Sequence, residues 1–97
     1  MRLKDKIALV FGAGQSPGLT PAIGNGRATS ILYAREGAKV MAVDRNLESA
    51  QETARIIEDE GGQAATVEAD VTDEAAVKAA VRACVDKWGR IDILHNN

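Results

Sequence analysis

Four short apolar runs alternate along the chain with longer stretches of mixed polarity. Each run is five residues long, which suits a strand buried on both faces of a parallel sheet better than a helix. The predicted strands, in chain order, cover Ile7 to Phe11, Lys39 to Val43, Ala64 to Glu68 and Ile91 to His95.

Three stretches between these runs have helical character, at about 26–36, 46–60 and 72–88. In the third stretch, apolar residues recur at a spacing of four on adjoining stripes, which is typical of a helix face packed on a sheet. The residues of these stripes are Val77, Val81, Val85, Ala80, Cys84 and Trp88. Cys84 is therefore predicted to lie in the core.

The predicted helices also carry signals at their ends. Asn46 and Thr72 are predicted N-caps, because their short polar side chains can accept hydrogen bonds from the first free backbone N–H groups. Gly37, Gly61 and Gly89 each follow a helical stretch, at the position where a left-handed residue ends a helix. The element order is therefore β-α-β-α-β-α-β.

Strands separated by single helices imply right-handed crossovers and a parallel sheet, so the fold class is α/β. Doubly wound order places the strands 3-2-1-4, with the fourth strand on an open edge where a fifth would pair. That edge is apolar and has no proline or lysine to protect it. We therefore expect the isolated chain to self-associate through the fourth strand or to form a loosely packed monomer.

The composition narrows the class of protein. Ninety-seven residues with 45% hydrophobic and 27% charged content indicate one globular domain, here a partial one over residues 1–97. The 12 basic and 14 acidic residues give a net charge of −2, which argues against a nucleic-acid partner or a polybasic membrane surface.

The apolar runs are too short for a signal peptide or membrane span, so a cytoplasmic protein is predicted. One cysteine and one histidine predict no metal site.

Candidate binding residues stand at the carboxyl ends of the predicted strands, where such a sheet forms its ligand crevice. A glycine-rich stretch, 12–26, follows the first strand and would let the backbone approach a pyrophosphate closely. Asp44 follows the second strand, and its carboxylate can accept both hydroxyls of an adenosine ribose. Asp70 and Val71 follow the third strand, and Asn96 follows the fourth. Together they predict a dinucleotide or another adenosine ligand.

The chain resembles the N-terminal part of the short-chain dehydrogenase/reductase family over nearly its whole length. The most specific segments are Arg35-Glu-Gly-Ala-Lys-Val-Met-Ala-Val-Asp44, Asp70-Val-Thr-Asp73 and Trp88-Gly-Arg-Ile-Asp-Ile-Leu-His-Asn-Asn97. The resemblance implies the N-terminal half of a Rossmann-type domain that binds NAD or NADP. It implies that Asp44 selects the cofactor ribose, that Asp70 and Val71 contact adenine, and that Asn96 lies beside the cofactor.

The glycine-rich stretch departs from the Gly-x-x-x-Gly-x-Gly pattern of that family. We align Gly12 with the first glycine and Gly24 and Gly26 with the last two. Gly12 and Gly24 are then 12 positions apart where the family has four, so the loop is eight residues longer. Asp44 favours NAD over NADP, because a 2′-phosphate would bring negative charge against its carboxylate.

The family's proton donor comes from a Tyr-x-x-x-Lys pair with a serine, and this chain has no such pair. Its only tyrosine, Tyr33, is predicted to pack the first helix. His95 is a strand-end residue that could contact a ligand or serve the structure alone. We expect an oxidoreductase segment that acts on an alcohol or ketone only as part of a longer protein and binds NAD without turnover. The alternatives are a fragment of an S-adenosylmethionine-dependent methyltransferase and a truncated, non-catalytic gene product.

Overall fold

A computed structural model describes residues 2–14 and 25–96, with only the backbone of Asn25. Within these residues, four strands and three helices alternate: β1 (Ile7–Phe11), α1 (Asn25–Arg35), β2 (Lys39–Asp44), α2 (Leu47–Asp59), β3 (Gln63–Glu68), α3 (Glu74–Trp88) and β4 (Ile93–Asn96). Their sheet has the order β3-β2-β1-β4, and every neighbouring pair is parallel. The predicted α/β class and strand order 3-2-1-4 are confirmed.

The core lies on both faces of the two central strands. All five residues of β1 and the four middle residues of β2 are buried. Alternate residues such as Val10 and Leu9 point to opposite faces, where helices α1 and α2 cover one side and α3 covers the other. The continuous apolar character of the central strands follows from this burial on two sides.

The helix ends agree with the sequence except at one cap. Gly37, Gly61 and Gly89 have φ angles of 100°, 89° and 86°, as the left-handed cap requires. Asn46 caps α2 by accepting from the Ser49 backbone N–H at 3.2 Å.

The predicted N-cap Thr72 is wrong, because Asp73 caps α3. The Asp73 carboxylate accepts from the backbone N–H groups of Ala75 and Ala76 at 3.0 and 3.3 Å. The Thr72 hydroxyl instead donates to Asp70 Oδ1 at 2.7 Å. A carboxylate one residue later also suits the positive end of the helix dipole better than a hydroxyl does.

The face of α3 differs from the prediction at one residue. Ala80 and Cys84 are fully buried, which confirms the core position of the cysteine, but Val85 is 39% exposed. Eight residues advance the helix by about 80° beyond two full turns, so the stripe that begins at Val77 has rotated toward solvent by Val85.

The last strand begins two residues later than predicted. Before β4, the Asp92 carboxylate accepts from the Ile7 backbone N–H at 2.9 Å, and the Asp92 N–H donates to the Ile7 carbonyl at 2.9 Å. The Asp92 side chain therefore occupies the Ile7 N–H, which would donate to a backbone carbonyl if the ladder between β1 and β4 were longer.

None of the helices in the described ranges is long and apolar enough to cross a membrane.

Candidate functional site

The parallel register brings the candidate residues to one edge of the sheet. Phe11, the last residue of β1, pairs with Val43 on one side and with Asn96 on the other. Gly12 and Asp44 therefore lie side by side at the carboxyl ends of the central strands. The Ala69 N–H donates to the Asp44 carbonyl at 3.1 Å, which places Asp70 at the same edge.

The first and last glycines of the alignment, Gly12 and Gly26, form a close contact between the turn after β1 and the start of α1. Gly12 has a φ of 72°, which glycine adopts without strain. A Cβ added at Gly26 would collide with the Gly12 carbonyl oxygen, so the helix can approach the turn only with glycine there. Gly24, the second glycine of the alignment, lies outside the described residues.

Asp44 is held by two backbone donors. The Gly14 N–H donates to Asp44 Oδ2 at 2.9 Å, and the Asn46 N–H donates to Asp44 Oδ1 at 2.9 Å. A carboxylate has about four lone-pair positions, so each oxygen can accept a further hydrogen bond. The partly exposed carboxylate is thus oriented and still able to bind a pair of hydroxyls.

The segment after β3 presents one oriented carboxylate and one apolar side chain. The Thr72 N–H and hydroxyl donate to Asp70 Oδ1 at 2.9 and 2.7 Å, and these bonds hold the pKa of Asp70 below its ordinary value, with a smaller contribution from the charge of Arg45. Val71 is 49% exposed beside it. The ionised Asp70 carboxylate can accept a hydrogen bond from the amino group of a heterocycle, and the Val71 side chain can pack against the ring.

At the end of β4, Asn96 is exposed, and the preceding His95 is mostly enclosed. The Tyr33 and His95 rings meet edge to face, with centroids 6.3 Å apart and an angle of 81° between their planes. Tyr33 also packs against the core under α1 and α2, which confirms its predicted packing role. Nε2 of His95 is buried, with no hydrogen-bond partner within the described ranges.

The structure adds a buried polar cluster that the sequence analysis missed. The Thr53 hydroxyl donates to the Ala13 carbonyl at 2.8 Å and accepts from Arg27 Nε at 2.9 Å. Arg27 Nη2 also contacts Glu52 Oε2 at 3.0 Å and the Ser49 carbonyl at 3.1 Å. One signal was available: Thr53 belongs to an i, i+3, i+4, i+7 stripe of small and apolar residues on α2, which indicates a buried face.

The strand order, the glycine contact and the acid at the end of β2 define a Rossmann-type α/β domain. The family model described as short chain dehydrogenase matches residues 6–97. The chain belongs to the short-chain dehydrogenase family.

Proteins similar to this chain agree with that assignment. A sorbitol dehydrogenase of Cereibacter sphaeroides is 43% identical over 97 residues, which cover 100% of this chain and 34% of that protein. The short-chain dehydrogenase/reductase homolog YusS of Bacillus subtilis is 38% identical, with coverage of 100% and 83%. A hydroxysteroid dehydrogenase structure from Escherichia coli has a TM-score of 0.89 at 34% identity, over 99% of this chain and 37% of that one. The chain spans about a third of the length of the sorbitol dehydrogenase and of most other curated relatives that it matches.

Proposed function

We propose that this chain is the NAD-binding portion of an oxidoreductase and that the 97-residue chain binds NAD(H) without catalysing turnover. The observation that carries the proposal is the Asp44 carboxylate, which two backbone N–H groups orient beside the Gly12 turn. Family membership supports it over the methyltransferase interpretation. When bound, NAD would supply the nicotinamide ring that accepts the hydride.

Each candidate residue then has a defined task toward the cofactor. Gly12, Gly24 and Gly26 allow the backbone to approach the pyrophosphate. Asp44 accepts the two ribose hydroxyls, while Asp70 and Val71 receive the adenine. Asn96 lies at the end of β4, next in the sheet to the turn after β1, and contacts the far part of the cofactor.

The cofactor is NAD rather than NADP because of charge. A 2′-phosphate would stand against Asp44, whose own hydrogen bonds to Gly14 and Asn46 keep it in place. Arg45 is exposed next to it and offsets only part of the repulsion. Like charges held near each other at a partly buried site oppose binding.

The environments of Tyr33 and Cys84, two residues that could donate a proton, support the proposed lack of turnover. The Tyr33 ring packs beneath α1 against His95, and burial raises the pKa of the Cys84 thiol, which disfavours its thiolate. Neither residue lies at the carboxyl edge in a form suited to acid catalysis. Reaction with an alcohol or ketone therefore belongs to a longer protein that carries the catalytic groups.

Equilibrium titration of the purified chain with NADH, NADPH and S-adenosylmethionine tests this proposal. We expect NADH to bind most tightly, and Asp44→Ala to weaken it by about ten- to a hundredfold, since hydrogen bonds to a charged group contribute about 1.5 to 3 kcal/mol. Asp86→Ala, which removes the same charge from the exposed face of α3, should leave binding unchanged. Equal or tighter binding of NADPH would contradict the NAD assignment. Enzyme-proportional NADH oxidation with a carbonyl substrate would contradict the lack of turnover.

We also propose that the isolated chain self-associates through β4. Leu94 is 64% exposed on this edge strand, and no described residue pairs with its outer backbone groups. An uncovered apolar edge is a template for pairing with another chain. Sedimentation velocity over a range of concentrations tests this, and a single monomeric species throughout would contradict it.

A further inference from the structure

One peptide group links the buried polar cluster to the ribose-binding carboxylate. The carbonyl of Ala13 and the N–H of Gly14 belong to the same planar unit. Thr53 donates to that carbonyl at 2.8 Å, and the N–H donates to Asp44 Oδ2 at 2.9 Å. Any rotation of this plane would break both hydrogen bonds together.

Arg27 sets the direction of the Thr53 hydroxyl. Its Nε can only donate, so the Thr53 oxygen must accept from it and keeps its own proton for a carbonyl. The Ala13 carbonyl is the nearer acceptor at 2.8 Å, whereas the Ser49 carbonyl lies at 3.3 Å. Arg27 is in turn held by Glu52 through a 3.0 Å ion pair.

Burial makes this arrangement stiff. Thr53 is fully buried and Arg27 is only 7% exposed, so water cannot readily replace a lost partner. The space around Gly14 is also filled, because a Cβ there would press on Ser49 Oγ and on Asp44 Oδ2. The carboxylate and the peptide plane therefore have little room for another orientation.

The geometry points to Thr53 and Arg27 as positioning residues that hold the Ala13–Gly14 peptide, and through it the Asp44 carboxylate, in the orientation that receives the ribose hydroxyls. In this arrangement both residues act on the Asp44 carboxylate through the Ala13–Gly14 peptide. Their effect on cofactor choice rests on the proposed function, but their effect on the Gly14 N–H does not.

Thr53→Val removes the hydroxyl while keeping the side-chain size. In the unliganded chain we expect amide hydrogen exchange at Gly14 to accelerate by about tenfold or more, since one hydrogen bond of about 1.4 kcal/mol is a factor of ten. NADH affinity should fall by about tenfold, and the NADH-to-NADPH preference should shrink, for the same reason. Thr53→Ser, which restores the hydroxyl, should recover all three. Thr66→Val on β3 serves as the matched control and should change none of them.

Two results with the Thr53 variants would overturn the inference. One is a folded Thr53→Val variant with unchanged Gly14 exchange, and the other is a Thr53→Ser variant as impaired as Thr53→Val. If neither nucleotide binds the unmutated chain, the proposed function fails, while Gly14 exchange still decides the positioning role. If Thr53→Val does not fold, Arg27→Lys decides, since it keeps the charge facing Glu52 and removes the Nε donor. Gly14 exchange should then still accelerate, and unchanged exchange in that variant would reject the inference.

Discussion

The central strands β1 and β2 differ sharply from the outer strands β3 and β4 in how they are covered. Nearly every residue of the central pair is buried, whereas the four middle residues of β3 are half-buried and β4 alternates between half-buried and exposed positions. Both faces of the central pair carry helices. Among residues 2–14 and 25–96, the fourth strand pairs with β1 alone, and Leu94 on it is largely exposed.

The residues of the candidate site divide along the same line. Asp44 and the Gly12 turn stand on the central strands and are held by the buried cluster around Thr53. Asn96 stands on the thinly covered outer strand. The proposed ribose-binding carboxylate therefore stands on the well-packed centre of the domain, whereas the proposed adenine contacts Asp70 and Val71 follow the outer strand β3.

The largest effect is expected from truncating equivalent side chains in the two regions. Leu9→Ala on β1 should lower the free energy of unfolding by about 2 to 5 kcal/mol, because it opens a cavity in a fully buried position. Leu94→Ala on β4 should cost less than about 0.5 kcal/mol, as for other exposed substitutions. Urea denaturation of both variants measures the difference. Similar losses at the two positions would show that the outer strand is as well packed as the centre.

A comparison of two glycines sharpens the contrast. Gly26→Ala forces a methyl group against the Gly12 carbonyl and should cost about 3 kcal/mol, the upper range for overpacking, together with loss of NADH binding. Gly89→Ala meets open space and should cost about 1 kcal/mol from its left-handed φ alone, with binding unchanged. Thermal unfolding and NADH titration of the pair provide the measurements. Retained NADH affinity in Gly26→Ala would argue against close backbone approach at this turn.

The exposed edge can be altered without touching the central strands. Leu94→Lys should shift the chain toward monomer in sedimentation velocity, because a charge on an edge strand opposes pairing with a second chain. Val85→Lys places the same charge on an exposed apolar position of α3 and serves as the control. Equal loss of association in both variants would contradict pairing through β4. It would show either that the chains associate through α3 or that any added surface charge reduces association.

The smallest expected effect concerns the pH dependence of the attachment of β4. The Ile7 N–H, followed by the Arg90 guanidinium, holds the pKa of Asp92 below its ordinary value. A lowered pKa in the folded state means that the stabilisation is complete above about pH 4 and is lost as the pH falls through the folded pKa. Asp92→Asn should flatten the decline in stability below pH 4, whereas Asp86→Asn should not. An unchanged acid decline in Asp92→Asn would assign it to other carboxylates.

Much of the architecture was predictable from local patterns. Short apolar runs located all four strands to within two residues. For β1 and β2 the reason is that burial on two faces demands continuous apolar sequence. The helical connections predicted parallel strands, and this parallel direction placed Asp44 and Asp70 at one edge of the sheet. The doubly wound pattern predicted the strand order.

Tertiary structure alone decided which groups hold the site together. Thr53 lies 40 positions from Ala13 in the chain, and Arg27 lies 26 positions from Thr53, so no local pattern relates them. The same holds for Asp92, which replaces part of the predicted ladder by bonding Ile7 85 positions away. Local propensity determined the helices, strands and caps, with Thr72 as the exception. Hydrogen bonds between distant residues arise only when packed helices and strands bring their polar groups together in a space that excludes water, and these bonds orient Asp44.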